Sequence, residues 1–130
     1  MKMRYRCPAG HVFNADENAQ LCTECGQPLQ LGNCGAIHLY RMGNPSGAMY
    51  GMGIYVDGVP YGHIACTESV RVVVPFGQHK IHMTLATNRR CNDPVVNITP
   101  QAPVVYCKAR MSFWGKLIVE EADPSTFPPM

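Results

Sequence analysis

Two short-spaced ligand pairs near the start of the chain constrain it more than anything that follows. Cys7 and His11 lie in the segment Arg6-Cys7-Pro8-Ala9-Gly10-His11. After a ten-residue gap, Cys22 and Cys25 lie in Leu21-Cys22-Thr23-Glu24-Cys25-Gly26. Each pair has a glycine beside it, the residue that lets a tight turn aim two side chains at one point. Four nitrogen and sulfur donors on two turns are what a tetrahedral zinc ion requires. The spacing predicts one structural Zn2+ held by Cys7, His11, Cys22 and Cys25. Cys34, also followed by a glycine, is a competing ligand that would replace His11 and give an all-cysteine site. It lies beyond the second pair, whereas His11 already closes the first, so His11 is preferred.

Residues 1–31 hold few large apolar groups, chiefly Tyr5, Val12, Phe13, Leu21, Leu29 and Leu31. So small a core cannot offset the entropy of ordering the chain, and the metal is expected to act as its staple. Gly32-Asn33-Cys34-Gly35 then reads as a hinge. The chain is expected to divide into a metal-binding lobe at 1–33, a second unit at 36–121 and a flexible tail at 122–130.

The series Tyr5-x-Cys7-Pro8-x-Gly10-His11, followed by Leu21-Cys22-x-x-Cys25-Gly26-x-Pro28-Leu29, resembles a zinc ribbon. The closest form is the variant in which a histidine replaces one cysteine of the first knuckle. The resemblance implies that Cys7 and His11 sit on one hairpin turn and Cys22 and Cys25 on another, clamping a single zinc ion.

Beyond the hinge the sequence reads as short strands with a two-residue period. Candidates are 36–41, 51–56, 61–65, 70–74, 79–87, 95–98, 104–111 and 117–121. Asp57-Gly58 marks a two-residue hairpin and Pro75-Phe76-Gly77 a further turn. In the 79–87 strand, Ile81, Met83 and Leu85 fall on one face. With no helical periodicity, the expectation is a mostly β protein, a small zinc-ribbon lobe followed by an antiparallel Ig-like β-sandwich. The stretch Gly53-Ile54-Tyr55-Val56-Asp57-Gly58-Val59-Pro60-Tyr61-Gly62-His63-Ile64 resembles the hairpin of PEGA-like bacterial domains. Val74-Pro75-Phe76-Gly77-Gln78-His79-Lys80-Ile81 is similar to their following turn. That resemblance implies a compact sandwich with no known catalytic site, attached to other modules.

The remaining reactive side chains have plainer readings. Cys107 shares its strand face with Val105 and Ala109 and is expected in the core; Cys66 is expected to be core or half-buried. Cys91 sits between Arg89-Arg90 and Asn92-Asp93, where the arginines could activate it, but it reads as an idle loop thiol. His79 and His82 point to opposite faces of a strand and cannot share an ion, and neither can His63 and Cys66. His38 has no partner nearby in sequence. Met42, Met49 and Met52 suggest a pliable loop more than a soft-metal site. Arg89, Arg90, Lys108, Arg110 and Lys116, with Tyr106 and Trp114, could assemble a strip for single-stranded nucleic acid, which Asp93, Glu120, Glu121 and Asp123 would blunt.

A formal charge of +2 with only 15% charged residues gives no field for collecting nucleic acid or anionic lipid. Binding three thiolates to one Zn2+ lowers that charge by one. No nucleophile elbow, phosphate loop or dinucleotide fingerprint occurs, and a zinc ion with four protein ligands has no open position to activate water. The basic start has no apolar stretch after it, so no secretory signal is expected, and no apolar run reaches the length of a membrane span. The thiol-rich, zinc-type spacing points to a reducing, cytoplasmic setting. The sequence is thus read as a non-enzymatic zinc protein whose partner is another protein. Nucleic-acid binding and carbohydrate or other ligand binding on the sandwich are the alternatives.

Overall fold

The structure is a computed structural model in which residues 2–43, 50–112 and 114–127 are described. Met49 and residues 128–130 of the tail lie outside that range. Ten strands follow in chain order: β1 (Lys2–Arg6), β2 (Val12–Asp16), β3 (Cys34–Arg41), β4 (Met52–Val56), β5 (Val59–Ile64), β6 (Ser69–Pro75), β7 (Gly77–Leu85), β8 (Val95–Ile98), β9 (Val104–Met111) and β10 (Leu117–Glu121). The described residues contain no α-helix, only a 3-10 turn at Pro124–Thr126 capped by the Asp123 side chain. No helix among them is long and apolar enough to cross a membrane.

Alternation sets the faces. Val70, Val72 and Val74 of β6 are buried, while Ser69, Arg71 and Val73 between them are partly exposed. In β7, Ile81, Met83 and Leu85 are buried and Lys80 and His82 point the other way. Asp57 and Gly58 have φ of +54° and +79°, the paired left-handed conformations that a two-residue hairpin matched to strand twist requires. They join β4 to β5 as the sequence predicts.

The strands form a six-stranded sheet in the order β10-β9-β3-β6-β1-β2 and a four-stranded sheet in the order β5-β4-β7-β8. The four-stranded sheet is antiparallel. The six-stranded one is mixed, which corrects the expectation of a wholly antiparallel body: β3 runs parallel to β9, and β1 runs parallel to β6. Parallel neighbours need a long crossover, and here the crossover is the other sheet. The chain leaves the large sheet after β3 to build β4 and β5, returns for β6, leaves for β7 and β8, and returns again for β9. Hydrophobic alternation assigns a strand's face but not its direction, so the sequence could not distinguish these arrangements.

Both sheets feed one core, with Leu39 and Val72 on the large sheet meeting Ile54, Met83 and Ile98 on the small one. Gly35 shows how tightly they close. A β-carbon there would run into the Pro103 carbonyl oxygen and lie 2.5 Å from Ile98 Cγ2. The same Pro103 carbonyl accepts from the Ala36 amide at 2.8 Å. Two buried arginines donate to backbone carbonyls. Arg41, 0% exposed, donates to the carbonyls of Tyr50 and Ile64. Arg4, on β1, donates to the carbonyls of Tyr61 and His63 on β5 and to Asn14 Oδ1 at 3.0 Å.

A second, smaller core of Tyr5, Cys7, Phe13 and Cys22 is separate from the first. Tyr5 and Phe13 stack with ring centroids 5.6 Å apart, and Val73 of β6 packs against the group. The strands of the first 33 residues therefore extend the large sheet, through pairs such as Met3 with Arg71, while their apolar groups keep a cluster of their own.

Candidate metal centre

Each donor pair rests on a turn that local hydrogen bonds define. The Cys7 amide donates to the His11 carbonyl at 3.0 Å and the Gly10 amide to the Cys7 carbonyl at 2.9 Å. Gly10 has φ of +95°, which an L side chain rarely tolerates. In the second turn the Gly26 amide donates to the Cys22 carbonyl and the Cys22 amide to the Gln27 carbonyl, both at 2.9 Å, with φ of +73° at Gly26. The glycines adjoining the ligands are thus used for the geometry the sequence assigned to them.

These turns bring the Cys7, Cys22 and Cys25 sulfurs and a His11 ring nitrogen within 4.8 Å of one another. Cys7 Sγ lies 3.3 Å from His11 Nδ1 and 3.9 Å from Cys25 Sγ. Zinc bonds of ~2.3 Å to sulfur and ~2.0–2.1 Å to nitrogen give this donor set a tetrahedron with edges of about 3.5–3.8 Å, near those separations. Cys7 and Cys22 are buried, His11 and Cys25 exposed. The cluster could hold a metal ion.

Its electrostatics favour a cation. Burial pushes the Cys7 thiol up, but hydrogen bonds from the His11 backbone and ring, the Ala9 backbone and Cys22 more than reverse this, bringing it to about 6. The Gln27 backbone pulls Cys25 down, yet burial together with Cys22 and Cys7 leaves its thiol raised. One sulfur is readily ionised and its neighbour resists, as expected of like charges crowded together without a counter-ion. Cys34 stands outside the cluster. Its thiol donates to the Gln30 carbonyl at 3.3 Å, and burial raises its pKa.

The other singled-out residues are dispersed. Cys107 is fully buried and its thiol is pushed up to about 12 by burial and then by Glu121; Cys66 is half-buried. His38 is buried, accepts from Arg71 at Nδ1 and lies 4.9 Å from the Tyr106 ring and 5.4 Å from Phe127. Burial and then Arg71 lower its pKa, which favours the neutral ring. Met52 is in the main core while Met42 is exposed. Of the basic strip, Lys108 lies over the Phe127 ring and Arg110 pairs with Glu120 at 3.6 Å. Arg90 donates to the Trp114 carbonyl at 3.3 Å, beside an indole that is 79% exposed.

His79 and His82 diverge as strand parity requires: His79 Nδ1 meets Asp57 at 2.7 Å and its Nε2 meets the Pro75 carbonyl. His82, on the opposite face, has partners that sequence reading missed. Its Nδ1 lies 2.7 Å from Asp93 Oδ1, and Cys91 completes a second group of convergent donors. Burial raises the Cys91 thiol; hydrogen bonds from the Asp93 and Met83 backbones pull it down, and the Asp93 carboxylate raises it again, so the net shift is upward despite the two arginines before it. The only hint in the sequence was the i, i+2 spacing of Cys91 and Asp93, which gives no clue to their distant strand partner. No family model, curated protein or solved structure matches this chain.

Proposed function

We propose that the chain is a zinc-stabilised, non-enzymatic interaction protein. In this reading Cys7, His11, Cys22 and Cys25 bind one structural Zn2+ in a ribbon-like lobe, set on an Ig-like or PEGA-like sandwich that presents its surface to another protein in the cytoplasm. The observation that carries it is the convergence of four protein donors, which fills a tetrahedral shell and leaves no position for substrate or activated water. Zinc then organises surface and does no chemistry.

The competing reading is single-stranded nucleic-acid binding, favoured by Arg90 beside the exposed Trp114. Two of the five strip cations, Lys108 and Arg110, already have partners in the tail and in Glu120. Labelled single- and double-stranded oligonucleotides titrated at low salt should therefore show no binding in the ~1–100 μM range of ordinary non-specific binders. Micromolar affinity that weakens steeply with added salt would replace the protein-interaction reading. Saturable binding of glycans with the oligonucleotides inert would shift the assignment to a ligand-binding sandwich.

A further inference from the structure

The loop after β7 folds back on itself and is then fastened to β10. Leu85 and Asn88 exchange backbone hydrogen bonds of 2.9 and 2.8 Å, reversing the chain. The Asn92 side chain accepts from the Val119 amide at 2.8 Å and donates to its carbonyl at 2.9 Å. The Leu117 amide donates to the Arg90 carbonyl at 2.7 Å. Cys91, which also packs against the main core, and Asp93 are thereby held beside β7 within reach of His82. The three ligand atoms lie within 4.8 Å of one another, and all three residues are partly buried.

This donor set is chemically distinct from the first: one imidazole, one thiol and one carboxylate. Nitrogen, sulfur and oxygen together suit a borderline ion such as Zn2+, and a thiolate with a carboxylate neutralises a dication. Three protein ligands leave one corner of a tetrahedron open. Beside the group lies a groove of about 550 Å3, walled by Tyr55, Gly58, Lys80 and Arg89 with His82 and Asp93 themselves. Asp57 also borders it, but its carboxylate is already engaged by His79 and by the Lys80 amide. Lys80 and Arg89 give the groove cationic flanks.

We propose that His82, Cys91 and Asp93 form a second zinc site, with its fourth position open to this groove and suited to a small anionic ligand. A hydrogen bond holds His82 Nδ1 and Asp93 Oδ1 at 2.7 Å. A metal ion in its place spreads that edge to about 3.3 Å. The site is independent of the Cys7–His11–Cys22–Cys25 assignment.

The test is Co2+ loading of reduced, metal-free full-length protein, followed by azide as the probe of an open position. Wild type should take up two equivalents, and azide should shift the visible Co2+ absorption. Cys91→Ala and Asp93→Asn should each lose one equivalent and the azide response. Asparagine tolerates the left-handed backbone at position 93, φ +49°, so the second variant serves if the first misfolds. Equal uptake by wild type and both variants, or an azide response that survives in them, overturns the proposal. One equivalent in wild type and none in Cys91→Ala upholds this site and removes the first. One equivalent in both, silent to azide, does the reverse.

Discussion

Stripping the metal with a chelator should unfold residues 1–33 and leave β3–β10 folded. The four buried residues of the smaller core include only two large apolar side chains, Tyr5 and Phe13; the other two are candidate ligands, Cys7 and Cys22. Among the described residues, the larger core draws nothing from the first 33 positions. Structural zinc contributes apparent binding energies of ~10–16 kcal/mol in small metallo-domains, far more than two stacked rings supply. Amide NMR should show residues 2–33 collapsing to unfolded positions while those of 34–121 stay dispersed. The opposing contribution is the parallel pairing of β1 with β6 and the grip of Arg4 on β5. If those contacts instead couple the two regions into one cooperative unit, both will collapse together on chelation.

Arg41→Ala should cost about 4 kcal/mol, by vacating a fully buried site and orphaning two carbonyls. Its guanidinium donates to Tyr50 and Ile64 from a position 0% exposed, so no water replaces it readily. Against a typical stability of ~5–15 kcal/mol, such a loss lowers the urea midpoint sharply. Arg110→Ala is the matched control. Its pair with Glu120 spans 3.6 Å between side chains 45% and 60% exposed, and its removal should cost below about 0.5 kcal/mol. Equal midpoints for the two variants would mean that Arg41 is not a structural anchor.

What the sequence disclosed was local. Cys7 with His11, and Cys22 with Cys25, each fall within one turn, and the adjoining glycines adopt the positive φ expected of them. The Asp57-Gly58 hairpin and the bounds of β8, β9 and β10 followed from turn chemistry and alternation over a few residues. What stayed hidden depended on pairing across long separations. The neighbours of β3 and β1 in the large sheet are chosen by how the chain crosses between layers, which a period of two does not encode. The meeting of His82 with Cys91 and Asp93 was hidden similarly. Strand parity correctly separated His82 from His79, but gave no indication that an irregular loop fastened by Asn92 would return beside it.

The most direct test of the central claim is X-ray absorption at the zinc edge on Cys91→Ala protein loaded with one equivalent of zinc. The variant removes the second candidate site, so the spectrum reports the first alone. Cys7, His11, Cys22 and Cys25 predict three sulfurs at ~2.3 Å and one nitrogen at ~2.0–2.1 Å, with no water. Four sulfurs would transfer the fourth position to Cys34, and a shell dominated by nitrogen and oxygen would contradict a closed structural site altogether.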